Sequence, residues 1–301
     1  MTKTIFELTE GSAPLGTDYA LTGEDPAGTH VLRRTTWASI KNLFTSLQAA
    51  AGSDVTAGTS TTLFATPKAL KDAGVEPNLG GWILSGDTWT YASATTFTIS
   101  GDKTGVLSIG DKLKLTQTTV KYFYVVGVSY SSPNTTVTVT GGSDYTLANA
   151  TITSPHYSHS SSPVGFPQWF NYTPTGISAT NVTLSGRFCI NGRMVRASFR
   201  AVFSGAITFT SMPTLPVTAS ANYLTTGNSI ISACGVGGYL DYGTAYFPGE
   251  LTPTVIGSGT TLGIYKVANG TGQPGGSPIT ATSPITWANG DAIECQYTYE
   301  I

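Results

Sequence analysis

The chain has 301 residues, with 15 Lys plus Arg against 17 Asp plus Glu and a net charge of −2. That balance speaks against a nucleic-acid partner, which needs a basic patch, and an apolar content of 40% excludes disorder over the whole length. Charged residues make up 11% of the chain, against about 25% in an average soluble domain. Thr, Ser, Gly and Asn must therefore form the surface, or other chains must cover much of it.

No apolar run approaches the roughly 20 residues of a membrane helix. The opening Met1-Thr2-Lys3-Thr4-Ile5-Phe6-Glu7 lacks a signal-peptide core, which predicts folding in a cytoplasm. Cys189, Cys234 and Cys295 are scattered without metal-ligand spacing and read as reduced, buried thiols. The length allows two or three domains, and the pattern divides the chain into 1–80, 81–163 and 164–301.

Residues 1–35 are turn-rich and extended, punctuated by Gly11, Pro14, Gly16, Gly23, Pro26 and Gly28. A helix is expected over 37–51. Trp37, Ile40, Leu43, Phe44 and Leu47 fall on one helical stripe, and Gly52 suits its end. Such a helix is marginal alone. Its stripe needs a partner, either its own N-terminal segment or symmetry-related copies. A second short helix is expected near 67–73, with Thr66 as N-cap, Pro67 in the first helical position and Gly74 as the stop.

From Trp82 the pattern changes to β. Trp89–Tyr91, Thr95–Ile99, Lys112–Leu115, Lys121–Val126 and Thr135–Thr140 are strand-like, separated by turns at Ser100-Gly101-Asp102, Gly110-Asp111, Pro133-Asn134 and Gly141-Gly142. Short, evenly spaced strands point to a small antiparallel barrel or sandwich. Ser158–Pro163 has no periodicity and reads as a linker. In 164–301 an Asn191-Gly192 hairpin turn leads into a long strand from Met194. Arg196, Ser198 and Arg200 take one face of that strand; Val195, Ala197, Phe199 and Ala201 take the other. Ala292–Ile301 alternates as well, and Gly270–Gly276 reads as an exposed loop tip. The fold class is thus mainly β: an N-terminal module with helices, a small antiparallel β domain and a C-terminal β-sandwich.

Gly58-Thr59-Ser60-Thr61-Thr62-Leu63-Phe64-Ala65-Thr66-Pro67-Lys68-Ala69-Leu70 is similar to a G-T-x-T-T-x-x-x-T-P-x-x-L segment that recurs in phage tail fibres. Phe6-Glu7-Leu8 through Tyr19, then Thr35–Ile40, resembles N-terminal modules that join a fibre to a virion. Gly110–Tyr145 resembles a domain of phage structural proteins, and Phe170–Thr173 onward to Tyr299-Glu300 is similar to trimeric fibre-tip domains. The resemblance implies a bacteriophage tail-fibre or head-fibre structural protein. It implies a homotrimer in the virion, joined through its N-terminus to other virion structural proteins and binding a host-surface glycan or protein. A head-decorating fibre with weak adhesion and a capsule-degrading tailspike enzyme are the alternatives. The low charge and abundant Thr add a physical argument for the trimer: apolar sheet faces that one chain leaves bare are buried by closed symmetry.

No triad, zinc-protease or phosphate-binding motif is present, and no cofactor is expected. Asp102, Asp111, Asp144 and Asp291 sit beside Gly or Ser, the setting of turn residues rather than of catalytic carboxylates. Asp241 and Glu250 are the one acidic pair to inspect for glycan cleavage. His156 and His159 are solvated linker histidines or, on a trimer axis, shared ligands of an ion. The expected receptor contact is the aromatic segment Tyr239, Asp241, Tyr242, Tyr246 and Phe247, with Asn222 as a polar helper; the competing role of such aromatics is core or interface. Trp169 with Phe170, and then Trp287, follow as candidates.

Overall fold

The computed structural model describes residues 19–22, 33–36, 52–57, 66–72, 80–177, 181–207, 211–221, 234–256, 259–267 and 276–301. The chain divides into a unit Met1–Pro77 and a unit Asn78–Ile301.

In the first unit, strands β1 (Tyr19–Thr22) and β2 (Arg33–Thr36) pair antiparallel. The helical stripe Trp37, Ile40, Leu43, Phe44 and Leu47 lies outside the described residues. Gly52, expected as a helix stop, instead opens a short helix, α1 (Gly52–Ala57). The second helix, α2 (Pro67–Asp72), starts as read. The Thr66 hydroxyl accepts the Ala69 N–H at 3.1 Å and the Thr66 carbonyl accepts from Leu70 at 3.0 Å. That satisfies an amide left over at a helix start.

The second unit holds two seven-stranded antiparallel sheets. The first contains β3 (Ile83–Leu84), β4 (Trp89–Ser93), β5 (Thr96–Ser100), β6 (Lys112–Gln117), β7 (Thr119–Ser131), β8 (Asn134–Thr140) and β9 (Thr153–Ser158). Their order is β3-β9-β6-β7-β8-β5-β4. Among the described residues no pairing joins β3 to β4, so the sheet does not close on itself; of the expected small antiparallel barrel or sandwich, the antiparallel β architecture is present and one of the two sheets curves as a half-barrel. Of the expected linker Ser158–Pro163, residues 159–162 are irregular and exposed, while Ser158 ends β9 fully buried and Pro163 is buried.

The second sheet contains β10 (Phe170–Tyr172), β11 (Val182–Asn191), β12 (Met194–Phe203), β13 (Gly235–Asp241), β14 (Ala245–Ile256), β15 (Thr261–Lys266) and β16 (Ala292–Glu300). Its order is β10-β11-β12-β16-β13-β14-β15, so the last strand inserts at the centre. The sheet is sandwich-like. Inward residues of β14 and β15 (Leu251, Leu262, Ile264) share one core with Phe188, Val195, Phe199 and Tyr297. The β11–β12 hairpin is present, but its two loop residues are Gly192 and Arg193, one position beyond the Asn-Gly expected. Gly192 has φ 58°, the positive value that the first position of a type II′ turn requires.

Strand β7 joins the two cores. Phe123 and Val125 point into the first, while Tyr124 points into the second with Tyr122 and Val126 packed beside it. With both faces covered, β7 reads as a continuous apolar run without alternation. The Tyr124 ring meets Phe166 edge-on at 5.0 Å and Phe170 at 5.3 Å. Its hydroxyl donates to the Gln168 carbonyl at 3.1 Å. Such edge-to-face pairs add about 0.5–1.5 kcal/mol each beyond burial. Asp144 adds a polar tie, accepting the Asn171 backbone N–H at 2.8 Å and its side-chain amide at 3.0 Å.

Candidate functional site

The β13–β14 hairpin turns through Tyr242-Gly243-Thr244, pairing Asp241 with Ala245, Leu240 with Tyr246 and Tyr239 with Phe247. Strand alternation divides the expected receptor segment between two faces. Tyr239 is buried, stacks on Phe247 at 4.6 Å and meets Trp287 edge-on at 6.0 Å. These two rings, and Trp287 itself, belong to the core. Tyr246 is 57% exposed on the outer face and Tyr242 is 69% exposed at the tip. Asp241 is half-buried, and its carbonyl accepts the Thr244 N–H at 3.0 Å. Burial raises the pKa of the Tyr239 phenol, helped by the nearby carboxylates of Glu250 and Asp241.

A buried carboxylate fixes this hairpin from beneath. Asp291 accepts the Ala288 N–H at 2.7 Å through Oδ2 and the Tyr242 N–H at 2.8 Å through Oδ1. Gly290 supplies φ 94°, and an added Cβ there would lie 2.7 Å from the Tyr242 ring. The turn is of type II, with Gly at the position that demands positive φ. The same device enters β6. Asp111 Oδ2 accepts the Ser108 N–H at 2.7 Å, Gly110 has φ 91°, and Oδ1 faces His159 Nδ1 at 2.8 Å. In both turns the Gly N–H is bonded to the neighbouring strand, at Val125 and Phe203. The acidic residues beside Gly or Ser thus do serve turns: Asp102 Oδ1 likewise accepts the Thr104 N–H at 3.0 Å.

The outer face of the second sheet carries residues that the sequence did not assemble into a site. Arg200 pairs directly across β12–β16 with Glu294, Nε to Oε1 at 2.7 Å. On one side of this pair lies a cleft of about 320 Å³ lined by Asn171, Ser185, Arg187, Ser198 and Gln296. On the other a cleft of about 210 Å³ reaches Gly238, Leu240 and Tyr246. Arg187 and Arg196 lie over the half-exposed ring of Trp169, at 4.9 Å and 6.0 Å. Among the described residues neither guanidinium has a carboxylate partner. Asp241 and Glu250 line neither cleft. Arg196-Ser198-Arg200 was a legible part of this face; Arg187 and Ser185 join it through the β11–β12 hairpin, while Glu294 and Gln296 on β16 come from distant sequence.

Of the second aromatic candidate, Phe170 is fully buried while Trp169 stays on the outer face. Trp287 is 2% exposed and donates its indole N–H to the Thr280 carbonyl at 2.8 Å. Asn222 lies outside the described residues. His156 belongs to β9 with Nδ1 against the Ser154 carbonyl at 2.8 Å, and His159 is engaged by Asp111. Neither is a linker residue without partners. Among the described residues no cluster of three or more potential metal ligands occurs. All three cysteines are free. Burial pushes the Cys234 thiol up to about 12 and Cys295 still higher. No described helix is long and apolar enough to cross a membrane.

Comparison with protein-family models, with curated proteins and with solved structures finds no match to this chain.

Proposed function

We propose that the chain is a non-enzymatic structural subunit of a phage virion fibre, working as a homotrimer. In this reading residues 1–80 attach it to other virion proteins and the C-terminal β unit presents a surface to a host-surface glycan. The observation that carries the adhesive part is the clamped hairpin. Tyr242 and Tyr246 are held outward by a buried Asp291 and an inward Tyr239–Phe247 stack. Rigid, exposed aromatic rings bind at low entropic cost, because little ordering remains to be done on contact. The virion part rests on the sequence resemblance in residues 58–70 and the N-terminal segments. Adhesion is favoured over cleavage by the use of the acidic side chains, since Asp102, Asp111, Asp144 and Asp291 accept hydrogen bonds that shape the fold.

The test is binding of the labelled full chain to the bacterium that propagates the encoding phage. A double variant, Tyr242→Ser with Tyr246→Ser, is expected to lose at least tenfold in binding while retaining its thermal midpoint. Undiminished binding by the double variant, or clearing of capsule around spotted protein, would overturn the reading.

A further inference from the structure

We propose that the outer face of the second sheet is a track for an extended, carboxylated polysaccharide. The track runs from Trp169 through Arg187 and Arg200 to Tyr246. The proposal rests on the adhesive reading above and deepens it, naming the chemical class of the glycan and placing most of its contacts on the sheet rather than the hairpin.

Arg187 pairs with Ser198, which pairs with Gln296; Ser185 pairs with Arg200, which pairs with Glu294. These rows run across the strands, and all these side chains alternate away from the buried Phe188, Phe199 and Cys295. From β10 to β14 there are five inter-strand steps, about 24 Å at the usual strand spacing. The two clefts lie along this line and share the Arg200–Glu294 pair as the divide between them. A half-exposed Trp169 closes one end and an exposed Tyr246 the other. Flat rings at both ends with amides and hydroxyls between them match the alternation of C–H faces and hydroxyl groups along a sugar chain.

Charge selects the class. The guanidinium of Arg200 is engaged by Glu294, but that of Arg187 opens on the first cleft and faces an aromatic ring instead of an anion. Arg196 adds a second such charge beside Trp169. Of the nearby carboxylates, Glu294 in the same cleft is paired with Arg200 and Asp144 is committed to Asn171. The planar fork of Arg matches a carboxylate in bidentate fashion, so a uronate-type sugar seated over the first cleft meets Arg187. Elsewhere the molecule repels polyanions weakly, with a net charge of −2, so bulk charge does not provide the attraction.

The experiment is affinity electrophoresis of the full chain through gels containing polygalacturonate, alginate or hyaluronan. Each polymer is compared with its carboxyl-reduced, neutral counterpart. At least one carboxylated polymer should retard the protein. Its neutral counterpart should not, and added NaCl should weaken the effect because exposed charges are screened. Arg187→Gln and Trp169→Ala should each weaken retardation at least tenfold. Both side chains reach the surface, and an unchanged thermal midpoint in Arg187→Gln separates lost binding from lost folding. Equal retardation by the neutral polymers, no retardation by any of the three acids, or indifference to Arg187→Gln would overturn the proposal. Host-cell binding that depends on Tyr242 and Tyr246 but not on Arg187 would overturn it too, while leaving the adhesive function standing.

Discussion

Asp291 is the residue on which the exposed hairpin depends most directly. It is 2% exposed and serves two backbone amides, one in its own turn before β16 and one at Tyr242 in the turn of the neighbouring hairpin. Hydrogen bonds to a charged acceptor contribute about 1.5–3 kcal/mol, and both of these are partly buried. Asp291→Ala is therefore expected to lower stability by about 1–3 kcal/mol in urea unfolding and to raise the exchange rate of the Tyr242 amide. Asp111→Ala provides the comparison, since it opens the equivalent turn at β6 without touching the hairpin. If Asp291→Ala leaves Tyr242 exchange as slow as in the parent, the hairpin is held by something else. Free Asp-Gly turns are common in sequence; what the sequence did not reveal is that the second oxygen of Asp291 reaches a residue 49 positions away.

Among the elements, β10 and β16 concentrate buried phenols on one face. Tyr172 is hydrogen-bonded to Tyr297 through their hydroxyls, and Tyr299 donates to the Val217 carbonyl at 2.7 Å. Burial raises the Tyr172 pKa to about 12 and those of Tyr297 and Tyr299 upward as well. Between the unperturbed value of 10.0 and these raised values, the unfolded chain has lost phenolic protons that the native chain still holds. Unfolding free energy must fall with pH in that window. The contribution is complete below pH 10 and is lost as pH rises through about 12. Urea midpoints should be flat from this source between pH 8 and 9 and drop steeply above pH 10. The phenolate absorbance of these three buried tyrosines, as distinct from that of exposed ones such as Tyr130, Tyr242 and Tyr246, should rise together with unfolding rather than ahead of it. A midpoint unchanged above pH 11 would contradict this. Elements with one covered face were legible: β8 and β12 alternate, and the structure buries Val137, Val139, Val195, Ala197 and Phe199 accordingly. Strand order was not, because nothing local in Ala292–Glu300 says that it lies between β12 and β13 and brings Glu294 beside Arg200. Nor was the division of Tyr239 and Phe247 from Tyr246. A one-residue slip of a hairpin exchanges its faces, so the assignment waits on the register that puts Asp241 opposite Ala245.

At the scale of the whole molecule, a proposed trimer would be held by different parts of the chain to different degrees. Low charge in the sequence predicts bare apolar sheet faces, yet among the described residues the second unit covers its own. Its two cores close around Phe188, Phe199 and Trp287 in one and Phe97, Leu113 and Phe123 in the other. Among the described residues no buried side-chain nitrogen or oxygen lacks a partner. Its exposed apolar side chains, such as Leu84, Val164 and Val236, are individually ordinary for a protein surface. Under the proposed trimer, the candidate for association is the first unit, where the sequence pattern of Trp37, Ile40, Leu43, Phe44 and Leu47 predicts a single helical stripe. Burying apolar area is worth about 25 cal/mol per Å², and a charge on that stripe would have to be desolvated. Native mass spectrometry of the full chain is expected to give about 94 kDa, three times 31.3 kDa. Leu43→Glu with Leu47→Glu should return it to one chain while the far-UV signal of the β unit persists. A trimer that survives this double variant would put the interface on the second unit after all. A parent protein that disperses as 31.3 kDa would remove the fibre reading, because a fibre's closed symmetry needs its copies to meet.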